Sequence, residues 1–231
     1  MMTELKEIYQ SYADRYQALV GREDYQRNLL PAILRADPLA GKDIIELGAG
    51  TGRVTCLIAP YARKLVAADL SHHMLAHGRE YVAALGLDNW HLSLESHRDL
   101  PFATDSADLV IAGWSFCYAT IHAGEDWIPA LEQALSEVKR VLRPGGKLIL
   151  IESLGTGFET PNTPDVLVDY LAYLDRHGFE SAWVRTDYCF SDLAEARDLT
   201  TFFFGDATLP MWETERGVIV PECTGLWWKN F

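Results

Sequence analysis

The stretch between residues 43 and 69 holds the side chains and backbone best suited to chemistry. Asp43-Ile44-Ile45-Glu46-Leu47-Gly48-Ala49-Gly50-Thr51-Gly52-Arg53 runs from a short apolar segment through an acidic residue into glycines at alternate positions. An apolar-periodic segment follows (Val54, Leu57, Ile58), so the order is buried strand, tight turn and helix start. Glycines let such a turn take positive φ and let a ligand lie against the main chain. The free amides at the helix start point at whatever sits there. A second apolar run, Leu65 to Ala68, ends in Asp69. An acidic residue at that place in a βαβ unit bonds the ribose hydroxyls of an adenosine. The chemistry is that of holding a nucleotide-type cofactor. It is not the dinucleotide pattern G-x-G-x-x-G, because Gly52 comes one residue early and Arg53 stands where the third glycine belongs.

The run E-x-G-x-G-x-G, followed by Ala67-Ala68-Asp69-Leu70-Ser71 and Met74, resembles the class I S-adenosylmethionine-dependent methyltransferases. The resemblance continues through Asp99-Leu100-Pro101-Phe102, Ala107-Asp108-Leu109-Val110 and Arg140-Val141-Leu142-Arg143-Pro144-Gly145-Gly146-Lys147-Leu148, in the family's order. It implies a Rossmann-like, doubly wound, seven-stranded and mostly parallel sheet with an antiparallel last strand. It also implies S-adenosyl-L-methionine as cofactor, S-adenosyl-L-homocysteine as product and a small-molecule acceptor. By that resemblance the backbone at Gly48, Ala49, Gly50 and Gly52 lines the methionine and ribose. Glu46 lies near the amino-acid end, Asp69 takes the ribose hydroxyls, and Leu70 and Met74 touch adenine. For Met74, core packing is the alternative. One place departs from the pattern: Glu95-Ser96 stands where the family commonly has a Gly-Asp pair. Either Ser96 or His97 must then serve the adenine.

The acceptor side follows from topology, because residues after the fourth strand face the ligand edge of such a sheet. Gly113-Trp114-Ser115-Phe116-Cys117-Tyr118 occupies that place. It lacks the Asn/Asp-Pro-Pro-aromatic segment that DNA amino methylases share, the Pro-Cys nucleophile of C5-pyrimidine methylases, and the carboxylate ligands of catechol-type enzymes. An aromatic wall remains, with Trp114 and Tyr118 as pocket residues, Trp127 as a further member and Phe116 as core. It suits a small, partly apolar acceptor. Tyr16, with Tyr9 and Tyr12, lies on one face of a helix expected over residues 3 to 20. The stripe either packs that helix on the body or sets a tyrosine over the cofactor, whose sulfonium suits an aromatic face. A hydroxyl or amine acceptor needs a general base, for which His122, Tyr118 and Glu152 are candidates by location.

The remaining elements position these residues. Residues 1–40 are expected to form an N-terminal helical cap, 41–155 the cofactor-binding core, and 156–231 the helices and strands that complete the sheet, all in one methyltransferase domain. Strands are expected at Leu65–Asp69, His91–Leu94, Asp108–Ala112, Lys147–Glu152, Phe179–Tyr188 and Val218–Trp228. Pro144-Gly145-Gly146 is expected as a turn. Ser71 is expected to cap a helix closed by Gly86, and Asp192 with Glu195 has capping-box spacing.

Composition narrows the classes. With 20 basic and 33 acidic residues in 231, the net charge is −13, and no basic stripe for a phosphate backbone is visible. Nucleic acid is a poor partner. No apolar run approaches the ~20 residues of a membrane span, and the N-terminus lacks an apolar signal core. Cys56, Cys117, Cys189 and Cys223 form no C-x-x-C, so reduced thiols and a cytoplasmic location are expected. No metal is expected: His73 and His77 lack the glutamate of H-E-x-x-H. Trp227-Trp228 either packs on the sheet or, if exposed, marks a homodimer contact. Two rival readings remain. One is a non-catalytic, methyltransferase-like cofactor-binding module. The other is a different enzyme on the same cofactor fold, such as an aminopropyltransferase or a nicotinamide-dependent oxidoreductase.

Overall fold

In a computed structural model of the chain, residues 2–121, 127–205 and 208–231 are described. The apolar runs form strands β1 (Asp43–Leu47), β2 (Lys64–Asp69), β3 (Trp90–Leu94), β4 (Ala107–Gly113) and β5 (Leu142–Thr156). With β6 (Glu180–Arg185) and β10 (Glu222–Asn230) they make a seven-stranded sheet of order β3-β2-β1-β4-β5-β10-β6. The pairs among β1 to β5 are parallel, and β10 is antiparallel to both neighbours. The expected mixed sheet is therefore present. Strand order reverses between β1 and β4, which puts the switch point at the carboxyl end of β1.

Period-two alternation divides the core between the two faces of the sheet. Ile45, Leu47, Val110, Leu148 and Leu150 face one layer. That layer holds Leu131 and Val138 of α7 (Trp127–Val141) and Tyr170 and Leu174 of α8 (Val168–Arg176). Ile44, Leu109, Ile111, Ile149 and Ile151 face the other. There they meet α3 (Leu29–Ala36) through Leu29 and Ile33, and α4 (Arg53–Ile58) through Val54 and Ile58. Between β2 and β3 lies α5 (His72–Ala83), and after β4 lies α6 (Phe116–Ile121). Ser71 caps α5, its Oγ accepting from the Met74 N–H at 3.3 Å.

Several boundaries differ from the sequence expectation. The N-terminal helix breaks at Tyr12 into α1 (Met2–Ser11) and α2 (Ala13–Val20). The tyrosine stripe divides with it: Tyr9 and Tyr16 turn inward, while Tyr12 is exposed and meets Phe202. Pro144–Gly146, expected as a turn, falls within β5, where Gly145 takes φ +80° and the register to β4 shifts. The single strands expected at 179–188 and 218–228 each divide. β7 (Tyr188–Phe190), β8 (Trp212–Thr214) and β9 (Gly217–Val220) form a separate three-stranded sheet. Pro221 lies between β9 and β10, and proline cannot donate to a ladder.

The small sheet packs with α9 (Leu193–Phe204), and Leu19 of α2 enters its apolar cluster. The N-terminal helices are thus held by the C-terminal segment. Asp192 caps α9, accepting from the Glu195 N–H at 2.9 Å, while Glu195 accepts from the Ser191 N–H at 2.7 Å. Trp227 is buried on one face of the main sheet and Trp228 is half-buried on the other, so both pack on the sheet, the first of the two readings. Among the described residues, no helix is long and apolar enough to cross a membrane.

Candidate active site

The glycine loop joins β1 to α4 at the switch point. Gly48 has φ +75°, and a Cβ there would stand 2.1 Å from the Ser115 Cβ. Only glycine fits, because Ser115 lies against the loop and its Oγ donates to the Leu47 carbonyl at 2.9 Å. Gly78, in the middle of α5, meets the same need from the other side. A Cβ on it would lie 3.0 Å from the Thr51 carbonyl carbon and 3.1 Å from the Gly50 oxygen. α5 can therefore rest directly on the loop. Sequence reasoning passed over both Ser115 and Gly78. The signal for Gly78 was an isolated glycine inside an otherwise helical pattern.

Asp69, at the end of β2, faces this loop. Its Oδ2 accepts from the Gly50 N–H at 2.8 Å and its Oδ1 from the Ser71 N–H at 2.7 Å. Burial raises its proton affinity, and these backbone donors oppose the rise. Glu46 is 1% exposed, and its Oε2 accepts from the Thr55 hydroxyl at 2.6 Å. Burial pushes Glu46 up to about 7. Leu70 is 76% exposed beside Asp69, while Met74 is buried beneath Gly50. His97 stacks on Phe116 at 5.3 Å and burial pulls it down to about 4, so it is a neutral ring at neutral pH. Ser96 lies next to it, and its Oγ accepts from the Arg98 N–H at 3.4 Å. Glu46 and Asp69 lie at the carboxyl ends of β1 and β2, and the glycines, Leu70, Ser96 and His97 lie on the turns that follow β1, β2 and β3.

The N-terminal helices lie across this edge. The Tyr9 and Tyr118 hydroxyls are 3.0 Å apart, and the Ser71 hydroxyl donates to the Tyr9 carbonyl at 2.9 Å. The Thr51 hydroxyl bonds the Gln17 side chain. His73 accepts from the Ala13 N–H, and His77 faces Asp14 at 3.1 Å. The two histidines serve cap contacts, and among the described residues no group of three potential ligands could hold a metal. Two surface cavities lie away from this edge. One of about 280 Å³, lined by Asp43, Lys64 and Phe102, is at the opposite edge of the sheet. The other, of about 700 Å³, lies beside α9 and is lined by Leu193, Arg197 and Trp212. Neither contains a residue of the glycine loop.

Around the segment after β4 the structure brings together more than the expected aromatic wall. Trp114 has φ +47°, and its ring carries the Arg53 guanidinium 4.0 Å above it. Arg53 Nη1 donates to Glu23 at 2.6 Å. Glu222, 2% exposed, accepts from the Ser153 hydroxyl at 2.6 Å, and burial with the neighbouring Glu23 charge pushes it up to about 8. Phe116 is core, as expected, and Trp127 packs edge-on against Tyr173.

The base candidates fare differently. Burial raises Tyr118, with the nearby Cys117 adding to the effect. Glu152 is fully buried; its Oε1 accepts from the Tyr170 hydroxyl at 3.1 Å and the Cys117 N–H at 3.2 Å. Burial pushes Glu152 up to about 7. His122 lies outside the described residues.

A switch-point glycine loop, an acidic residue ending β2 and an antiparallel penultimate strand in the sheet order define the class. Residues 45–150 match the family model of a methyltransferase domain, and the chain is similar to the class I S-adenosylmethionine-dependent methyltransferases. Over 137 residues it is 36% identical to a demethylmenaquinone methyltransferase of Clavibacter sepedonicus, covering 59% of this chain and 49% of that protein. Over 126 residues it is 32% identical to the ubiquinone/menaquinone biosynthesis C-methyltransferase UbiE of Rubrivivax gelatinosus, covering 54% and 43%. The chain spans about half the length of these curated relatives. A solved S-adenosylmethionine-dependent methyltransferase of Aquifex aeolicus superposes with a TM-score of 0.55 at 16% identity, over 88% of this chain and 93% of that one. At that identity the likeness is one of fold.

Proposed function

We propose that the chain transfers the methyl group of S-adenosylmethionine to a small, oxygenated, partly apolar acceptor such as the quinone-type rings named in its relatives. One observation carries the reading: Asp69 is held by the Gly50 and Ser71 amides beside a loop that tolerates no side chain at Gly48. A carboxylate fixed in this way is ready for a ribose diol. Gly48, Ala49, Gly50 and Gly52 line the methionine and ribose, Glu46 lies near the amino-acid end, and Leu70, Ser96 and His97 border the adenine. Met74 supports the loop from below.

When bound, the cofactor supplies an already activated sulfonium methyl. The chain's part is to align the acceptor in line with it and to exclude water. Trp114, Tyr118 and Tyr16 wall the acceptor side, and α1 with α2 closes the cleft. Of the described base candidates, Glu152 has a proton affinity suited to neutral pH. Its burial beneath Tyr170 and Cys117 makes it a group that acts only if the acceptor reaches it.

The test is a calorimetric titration with S-adenosylmethionine, S-adenosylhomocysteine and NADH, followed by assay of labelled methyl transfer to a panel of quinols. Binding of the first two and turnover with a quinol is the expected result. Binding without turnover on any acceptor would favour the non-catalytic module, and binding of NADH alone would overturn the reading.

A further inference from the structure

Arg53 stands out among the buried charges. It opens α4 directly after the glycine loop, and its side chain is 16% exposed. One nitrogen, Nη1, is paired with Glu23, whose side chain is 4% exposed. The other, Nη2, is buried and has no hydrogen-bond partner. A buried guanidinium donor without a partner is unusual, since such groups are normally satisfied. The ring of Trp114 covers the guanidinium from one side, 4.0 Å from its central carbon.

The place of this donor matters. Arg53 follows β1 and Trp114 follows β4, so both lie at the carboxyl edge of the sheet beside the switch point. Tyr16 of the cap feels the charges of Arg53, Glu23 and Asp69 together, so the guanidinium and the carboxylate that ends β2 flank the same cap residue. Glu222 pairs in register with Thr156 at the end of β5 and shares the Glu23 and Arg53 charges. Tyr188 senses all three. The cluster thus lies across the acceptor side of the cleft.

The geometry points to Arg53 as the residue that selects the acceptor by charge: its Nη2 donates to an anionic oxygen on a planar acceptor ring, and Glu23 is the positioning residue that holds the guanidinium over the Trp114 ring. This rests on the methyl-transfer reading above. An anionic oxygen there completes the arginine's donor set and complements the positive sulfonium of the cofactor. Arginine suits the task because its planar fork stays charged and presents a fixed second donor after the first is used.

The protein saturated with S-adenosylhomocysteine is titrated calorimetrically with lawsone, a hydroxynaphthoquinone ionised at neutral pH, and with its uncharged methyl ether. Wild type is expected to bind the anion roughly 10-fold or more tighter, the range of one charge-assisted hydrogen bond. Arg53→Gln removes the cation beside the buried Glu23, which then keeps only hydroxyl donors such as Thr186, so the double variant Arg53→Gln/Glu23→Gln is measured beside it. Both are expected to retain S-adenosylhomocysteine binding and to lose the preference. Equal affinities in wild type, binding of neither naphthoquinone, or a preference that survives in the double variant would each overturn the assignment while the cofactor reading stands. Failure of wild type to bind S-adenosylhomocysteine would overturn the methyl-transfer reading, and this inference with it.

Discussion

Asp69 and Gly50 are joined by a hydrogen bond: the Gly50 N–H donates to the Asp69 Oδ2 at 2.8 Å. The carboxylate at the end of β2 thereby fixes the loop after β1, and one residue serves both the shape of the cleft and its charge.

Asp69→Ala is expected to weaken S-adenosylmethionine binding roughly 10-fold or more, because hydrogen bonds to a charged acceptor are worth about 1.5–3 kcal/mol each. Asp69→Asn keeps an acceptor for the loop amide but loses the charge, and should fall between the two. Calorimetry reads both. Unchanged affinity in the alanine variant would remove Asp69 from the cofactor site.

Gly48→Ala brings a Cβ 2.1 Å from the Ser115 Cβ at a φ of +75°. Left-handed backbone alone costs about 1–2 kcal/mol in a residue with a side chain, and the collision adds to it. A loss of at least about 2 kcal/mol in denaturant unfolding is expected. Ser115→Gly in the same chain should return part of that loss. A neutral Gly48→Ala would show that the loop is not packed against Ser115.

The pH dependence of stability should carry the mark of Glu152. Its proton affinity rises from 4.5 to about 7 on folding, through burial. The folded chain therefore holds a proton that the unfolded chain has lost in that window. Stability is full below about 4.5 and declines as pH rises toward about 7, by up to roughly 3 kcal/mol. Glu46 and Glu222 are raised in the same sense, so Glu152→Gln should make the decline shallower without abolishing it, while still accepting from the Tyr170 hydroxyl. Thermal unfolding across pH 5 to about 7.5 checks it, and identical slopes in the two proteins would refute the assignment.

Ser71→Ala tests the cap. The Ser71 hydroxyl accepts from the Met74 N–H and donates to the Tyr9 carbonyl, so it both caps α5 and ties down α1. Loss of a helix cap costs about 1 kcal/mol. S-adenosylhomocysteine should also dissociate several-fold faster in stopped-flow displacement. A change in stability with no change in dissociation would mean that the cap helices do not gate the cleft.

The cofactor half of this protein was legible in its sequence for a physical reason. A strand, a turn and a helix start are local, and their signals (the apolar run to Leu47, the glycines from Gly48 to Gly52, the acidic end at Asp69) sit within a few residues of each element. The sheet could be anticipated because those motifs resemble a family, and its order follows. Local patterns did not reveal the small sheet of β7, β8 and β9, because a strand run such as 218–228 looks the same whether it serves one sheet or two. Pro221 was the only local trace of the division. The buried charge cluster was decided by the tertiary structure alone. Glu23, Arg53, Trp114 and Glu222 lie far apart in the chain, and their burial beside one another comes from the convergence of α4, β10 and the segments after α2 and β4. Gly78 is similar: its need for no side chain exists only once α5 lies on the loop. The sequence by itself determined what is held at the switch point, through short-range pattern. Only the tertiary structure decided which charges are buried together at the carboxyl edge of the sheet, because burial and long-range proximity set the behaviour of an ionised group.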